Sequence, residues 1–474
     1  MIVHGVDIQG LTADSRKVVP GDLFAAVPGT AMNGRDFIPQ AIEKGAVAVL
    51  APAGTQADVP VIASDNVRLE YAKIARALYP AQPEVLVAMT GTNGKSSTVE
   101  FVRQIWQTTG RTSAAFGTLG VTTGRGHRPL SHTTPDAVAL HRTLSELAEE
   151  GVTHAAMEAS SHGLKQYRMH GVELSAAGFS NLSQDHFDYH PTVEDYFESK
   201  AKLFTELLPA GAPAVVTVDG DMGVRMADLA AGQGHKVMRV GWHGEDLRID
   251  EIIPRAASQD VTLVADLGGK GAKRFSLRVP LAGEFQVLNV VQAIGLAVAT
   301  GVDLNDALMA AELLRGVSGR LEPVGETVQG APVFVDFAHT EDGLDKLLRS
   351  VRPHTMGKIV LVFGCGGDRD ATKRPRMGAV AAKLADSVIV TDDNPRTEDA
   401  ASIRAQVLAG CPGATEIGDR AAAIREGLSR LEAGDCLVVA GKGHEQGQIV
   451  GDRVIPFSDQ DEVRDALKEM NDAG

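Results

Sequence analysis

Cysteine is nearly absent: the 474 residues hold only Cys365, Cys411 and Cys436. Three scattered thiols build neither a disulfide framework nor a metal-ligand cluster, so the expectation is a reduced, cytoplasmic chain. Aromatic residues are sparse at 4%, and no apolar run approaches the ~20 residues that span a bilayer. The opening MIVHGVDIQGLTADSR lacks the basic leader and apolar stretch of a signal peptide. Basic residues are in deficit, 46 Lys and Arg against 61 Asp and Glu, for a formal net charge of −15. That balance argues against a nucleic-acid surface, which needs a basic patch. An anionic ligand would have to be held by local cations rather than by the overall field.

What is present is the composition of α/β layers: 44% hydrophobic residues, rich in Ala, Val, Leu and Gly, with 23% charged. The length implies two to four domains, and the pattern divides into three. Residues 1–83 hold short strand-like runs (GDLFAAVPG, GAVAVLAP), a helical stretch over 67–78, and a Pro-containing linker at 79–83. Residues 84–330 open with a strand at 84–90, a Gly-rich turn and a helix from Lys95. Buried runs THAAMEAS and AAGFSNLS and the helical VEDYFESKAKLFTELL follow, a βα alternation that implies a parallel sheet. Alternating residues between 236 and 285 predict an antiparallel insert, with helices then expected over 287–300 and 304–314. Residues 331–474 alternate VFVDFA, KIVLVFG, SVIVTD and DCLVVAG with helices, a Rossmann-like doubly wound pattern. The expected fold is thus α/β in three domains, a small N-terminal one, a central P-loop-type one and a C-terminal one.

The central strand leads into MTGTNGKSS, residues 89–97. Backbone N–H groups of such a turn, with a helix N-terminus behind them, cradle phosphates. Gly91, Thr92, Asn93, Gly94, Lys95, Ser96 and Ser97 supply the candidate ATP site, Lys95 reaching the terminal phosphates and Ser96 ligating Mg²⁺. The strict P-loop pattern is broken by Met89, which stands where the first glycine belongs. A turn with an incidental lysine is the plain alternative, and strand before plus helix after favours the nucleotide. A carboxylate at the end of the next buried strand, Glu158 in MEASSHGL, is a natural Mg²⁺ ligand beside such a loop. NLSQDHFDYH is dense in His and Asp, but zinc would need a second cluster at ligand spacing.

The run TGTNGKSS resembles the nucleotide loop of the Mur ligases and of their relative folylpolyglutamate synthase, and further matches extend from Asp14 to Glu445. The resemblance implies a cytoplasmic, monomeric, ATP- and Mg²⁺-dependent ligase of peptidoglycan synthesis. It would add meso-diaminopimelate to UDP-N-acetylmuramoyl-L-alanyl-D-glutamate through an acyl phosphate. It assigns Glu158 and His186 to magnesium. It also implies that Lys200, in YFESKAKLF, is carbamylated, which turns a cation that Mg²⁺ would repel into an anionic oxygen ligand. Ser15 is matched to the uridine nucleotide, and Thr133, Thr134, Ser160, Gln166 and Arg168 to the muramoyl dipeptide. Asn289, Arg320 and Asp336, with His339 nearby, are matched to ATP; Glu341 departs from the family, which commonly has proline there.

Asp393-Asn394-Pro395-Arg396 follows the strand SVIVTD, and by itself reads as an Asx/Pro turn. By resemblance it is the diaminopimelate signature, joined by Arg369, Gly441 and Glu445; lysine-adding relatives carry a different residue in place of the arginine. Rival readings are the lysine-adding and D-alanyl-D-alanine-adding ligases and, outside the class, a P-loop switch or kinase. The last explains Lys95 but leaves Lys200 and the Asp-Asn-Pro-Arg turn unused.

Overall fold

The computed structural model describes residues 1–29, 32–130, 132–183, 189–269 and 271–473. The chain separates into two compact units, Met1–Arg248 with Val291–Ala307, and Ile249–Val290 with Leu308–Gly474.

In the first unit, the strands Gly10–Thr12, Asp22–Ala25, Ala48–Ala51 and Val61–Ala63 pair in parallel in that order. The helix Val67–Leu78 covers one face, burying Val67, Tyr71, Ala72, Ile74 and Ala75 at helical spacing. It begins where the Asn66 side chain accepts from the Leu69 N–H, an N-cap of the ordinary kind. Leu23, Leu50, Ile62 and this helix enclose one small core; Phe24, Val49 and Ile38 enclose another on the opposite face.

The larger sheet of this unit is built around Val85–Thr90, flanked in parallel by His154–Glu158 and Ala176–Phe179. Ser113–Gly117 lies beyond the former, and Pro213–Thr217 then Lys236–Gly241 beyond the latter, all parallel. Lys236–Gly241 therefore extends the parallel sheet, contrary to the expectation that the antiparallel insert starts there. Alternation of polar and apolar residues alone does not report strand direction. The antiparallel pair is Gln259–Ala265 with Lys273–Val279, in the second unit. Helices Lys95–Thr108, Ala137–Glu149 and Asp221–Gly232 accompany the strands. The expected helix around Lys200 runs Val193–Lys202 and continues as a π-turn, Leu203–Leu207.

The second unit carries the sheet order Glu322–Glu326, Pro332–Asp336, Cys436–Ala440, Ile359–Phe363, Ser387–Val390, Thr415–Glu416, parallel except for its first member. Apolar side chains fill both faces, Phe334, Leu361 and Val438 on one and Val333, Val360 and Val439 on the other. Sheets covered on both sides read as continuous apolar runs, as IVLVF and CLVVA do. All three cysteines are buried in this unit as free thiols. Burial pushes the Cys365 thiol up to about 12 and that of Cys436 to about 11.

Candidate active site

The phosphate loop leaves Val85–Thr90 and turns at Gly91, whose φ of +145° is open to glycine. A Cβ there would also collide with the Ser180 hydroxyl. Gly94, at φ +87°, caps the helix that starts at Lys95. The loop is strapped to the next strand end: the Thr92 N–H donates to Asn181 O at 2.8 Å and the Asn93 N–H to Asn181 Oδ1 at 3.1 Å. Lys95 folds onto its own loop, its Nζ donating to the carbonyls of Gly91 and Thr92, each at 2.9 Å. Lys200, only 1% exposed, reaches the same Gly91 carbonyl at 2.7 Å, with its ammonium 4.4 Å from the Tyr196 ring centroid. The structure thus brings Lys200 to the phosphate loop across more than a hundred residues, which its charged local sequence does not announce. Ser97 is buried in the first turn of the helix.

Ser96 Oγ donates to Glu158 Oε1 at 2.8 Å. Glu158 is 2% exposed and also accepts from the Thr118 N–H at 2.8 Å and the Thr118 hydroxyl at 3.2 Å. Thr118 was not among the residues expected from sequence, and only its place just after the strand Ser113–Gly117 could have suggested it. Its hydroxyl shares a hydrogen bond with Thr133 Oγ1 at 2.9 Å. Thr134 Oγ1 donates to the Glu158 carbonyl at 3.0 Å and accepts from Ser160 N and Ser160 Oγ. Arg168 donates to Thr134 O at 2.6 Å and to Gln166 Oε1 at 2.8 Å. Burial, and next the nearby Arg68 guanidinium, lower the Arg168 pKa. Glu158, Ser96, Thr133, Thr134, Ser160, Gln166 and Arg168 are therefore one connected polar network. Ser15 stands in the N-terminal block, where its hydroxyl donates to Gln40 Oε1 at 2.7 Å. His186 lies outside the described residues.

Among the described residues no group of three or more His, Cys, Asp or Glu side chains is gathered as a metal centre. One carboxylate beside one hydroxyl suits Mg²⁺, a hard ion that takes few protein ligands and completes its shell with water and phosphate oxygens.

In the second unit, Asn289 donates to Gln286 Oε1 at 3.0 Å, and Gln286 in turn donates to the Arg320 carbonyl at 2.9 Å. The Arg320 guanidinium lies 5.3 Å from the Phe337 ring centroid, and that ring stacks edgewise on His339. Both Asp336 oxygens accept backbone N–H groups, from Leu321 and Ala338, each at 2.7 Å. Burial raises its carboxyl above the usual range against the pull of those two donors. Asp336 thus fixes the backbone around Arg320.

The Asp393–Arg396 turn is held from three sides. The Asn394 side chain accepts from Lys442 Nζ at 3.0 Å and Ile449 N at 2.9 Å, and donates to Glu445 at 2.8 Å. Lys442, fully buried, donates to the same Glu445 oxygen at 3.1 Å; it lies inside AGKGHEQ, yet only its neighbours Gly441 and Glu445 were expected. Gly441, at φ +116°, leaves room for the Asp393 carboxylate. Pro395 O accepts from the Glu398 N–H. Arg396 has left-handed backbone, φ +54°, pinned to the hairpin strand Gly447–Val450 by its N–H to Ile449 O at 3.0 Å. Its guanidinium donates to Gly367 O at 2.7 Å. Arg369 is exposed and donates to the Asp368 carbonyl at 3.0 Å.

Residues 7–91 match the catalytic domain of the Mur ligase family, 89–297 the Mur ligase middle domain, and 319–443 the Mur ligase glutamate ligase domain. The chain belongs to the Mur ligase family. Within that family it is 51% identical over 468 residues to the UDP-N-acetylmuramoyl-L-alanyl-D-glutamate--2,6-diaminopimelate ligase of Agrobacterium fabrum, covering 99% of this chain and 95% of the relative. The ligase of the same description from Rhizobium meliloti is 51% identical over 466 residues, covering 98% and 94%. A solved Mur ligase structure, also described as a UDP-N-acetylmuramoyl-L-alanyl-D-glutamate--2,6-diaminopimelate ligase, superposes with a TM-score of 0.74 at 33% identity, covering 98% of this chain and 95% of that one.

Proposed function

We propose that this chain is the ATP-dependent ligase that joins an amino group of meso-diaminopimelate to the γ-carboxylate of UDP-N-acetylmuramoyl-L-alanyl-D-glutamate in peptidoglycan synthesis. The observation that carries this reading is the end-to-end 51% identity with ligases described by that reaction. We assign residues 1–83 to the uridine nucleotide, 84–330 to ATP and 331–474 to the incoming amino acid. A monomer in the cytoplasm is the state we propose, supported by a soluble nucleotide-linked substrate; among the described residues no helix is long and apolar enough to cross a membrane.

The loop 91–97 binds the ATP phosphates through its backbone N–H groups, and Lys95 exchanges its two loop carbonyls for phosphate oxygens. Ser96 and Glu158, with His186 and a carbamylated Lys200, would hold Mg²⁺, which would supply neutralisation of charge on the transferring phosphoryl group. A carbamate on Lys200, whose Nζ lies 2.7 Å from the loop carbonyl of Gly91, would put an anionic oxygen ligand where an ammonium would repel the ion. Thr133, Thr134, Ser160, Gln166 and Arg168 orient the D-glutamyl end so that its γ-carboxylate attacks the terminal phosphorus, giving an acyl phosphate and ADP. We assign Asn289, Arg320 and Asp336 to the nucleotide. Arg369, Arg396, Asp393, Asn394 and Glu445 orient diaminopimelate, whose amine displaces phosphate from the acyl carbon.

The test is phosphate release from ATP in the presence of the muramoyl dipeptide, with diaminopimelate, with lysine, and with no amino acid. Release should depend on diaminopimelate; equal release without it, or preference for lysine, would overturn the assignment.

A further inference from the structure

Two arginines in the first unit converge on one neutral oxygen. Arg168 Nη2 donates to Gln166 Oε1 at 2.8 Å, and Arg68 Nη1, from the second position of the helix Val67–Leu78, approaches the same oxygen at 3.4 Å. Their remaining acceptors are backbone carbonyls, Thr134 O for Arg168 and Pro28 O, at 2.7 Å, for Arg68. Neither forms an ion pair among the described residues, although the chain carries 61 acidic side chains. The carboxylate that interacts with Arg168 through space, Asp136, is committed elsewhere. It caps the helix Ala137–Glu149 through Val138 N and Ala139 N and accepts the Tyr71 hydroxyl at 3.2 Å. Both guanidiniums are half-buried, and burial lowers the pKa of each. Like charges that share one acceptor at a half-buried place, with neutral partners only, are costly until an anion joins them. A guanidinium fork matches a carboxylate with two parallel charge-assisted bonds.

The location narrows which anion. Thr134, whose carbonyl Arg168 holds, is one hydrogen bond from Glu158. The D-glutamyl end of the acceptor proposed above carries two carboxylates separated by two methylene groups. With the γ-carboxylate at the phosphoryl side, beside Glu158 and Ser96, the unreacting α-carboxylate extends toward the arginine pair. We infer that Arg68, contributed by the N-terminal block, is an acceptor-binding residue that grips this α-carboxylate together with Arg168. The inference rests on the acceptor assignment and goes beyond it, since it makes the free α-carboxylate a recognition element and Arg68 its reader.

The experiment uses the full chain, wild type and Arg68→Gln and Arg68→Lys, with two acceptors: the natural dipeptide and its D-isoglutaminyl analogue, in which only the α-carboxylate is an amide. Arg68→Gln should raise KM for the natural acceptor by roughly 10- to 100-fold, the range for one hydrogen bond between charged groups. The KM values for ATP and diaminopimelate should stay as they are. Wild type should disfavour the amide acceptor, that disfavour should shrink about tenfold or more in Arg68→Gln, and Arg68→Lys should restore part of it. An equal effect on both acceptors would overturn the proposal, leaving Arg68 as an anchor of the Pro28 turn or a contact of the diphosphate; no effect on either would do the same. Equilibrium binding of the two acceptors without ATP gives the same comparison free of turnover. Failure of ligation itself would therefore count against the proposed reaction and leave the Arg68 comparison standing.

Discussion

Arg396 combines a left-handed backbone with a guanidinium held by a glycine carbonyl, so its orientation is set before any ligand arrives. Diaminopimelate and lysine differ at the distal carbon, where one carries a carboxylate and the other hydrogen. Lysine would leave the fork unpaired next to an ammonium, and sites built around a polar partner reject analogues lacking it by roughly 10⁴-fold. Arg396→Ala should cut kcat/KM for diaminopimelate severely and narrow its advantage over lysine, with Arg396→Lys recovering part. An unchanged ratio in steady-state kinetics would move the selectivity to Arg369. Lys200→Ala should be nearly inactive, and small added carboxylates should restore some activity by supplying the missing anion. Full activity of that variant with nothing added would exclude a carbamate. Several of these residues were legible in sequence because their motifs are short and local. Thr118, Arg68 and Lys442 were not, since what they do depends on partners 40, 98 and 48 residues away.

Elements meet at tighter tolerances than their sequences disclose. The strand Ser113–Gly117 ends against Glu158, and a Cβ at Gly117 would overlap that carboxylate. Gly117→Ala should tilt Glu158 away from the Thr118 N–H and Ser96 while leaving the circular dichroism spectrum near wild type. The Mg²⁺ concentration for half-maximal activity should rise by roughly 10- to 100-fold, as for other changes around metal ligands; an unchanged value would remove Glu158 from the metal site. The helix Val67–Leu78 and the buried strands were readable from periodicity and apolar runs. The direction of Lys236–Gly241 was not, because pairing is decided by its neighbour Pro213–Thr217, a helix away.

At the scale of the whole molecule, buried histidines contribute to the response to mild acid. Burial lowers the pKa of His141, His170 and His354 below the ordinary 6.5. His354 Nε2 accepts from the Gly283 N–H at 2.8 Å while Nδ1 faces the Arg255 carbonyl, so protonation would break the first bond. With a folded pKa below the unfolded one, each contributes stability that is complete above pH 6.5 and lost as pH falls through the folded value. Asp336, raised by burial, acts in the opposite sense, its cost shrinking as it takes up a proton. Unfolding free energy should therefore fall between pH 7 and 5, by up to about 1.4 kcal/mol per pH unit for each proton, and Tm should fall with it. His354→Gln should flatten that slope, whatever it does to Tm at neutral pH; an unaltered slope would acquit His354. The buried thiols bear on the molecule in another way. Cys365, Cys411 and Cys436 are each at most 4% exposed, and a thiol withheld from water and from its thiolate form reacts slowly with maleimides. The native chain is then a dark background for labelling. One cysteine introduced at an exposed position would take a single dye, whose emission would report the binding of each substrate.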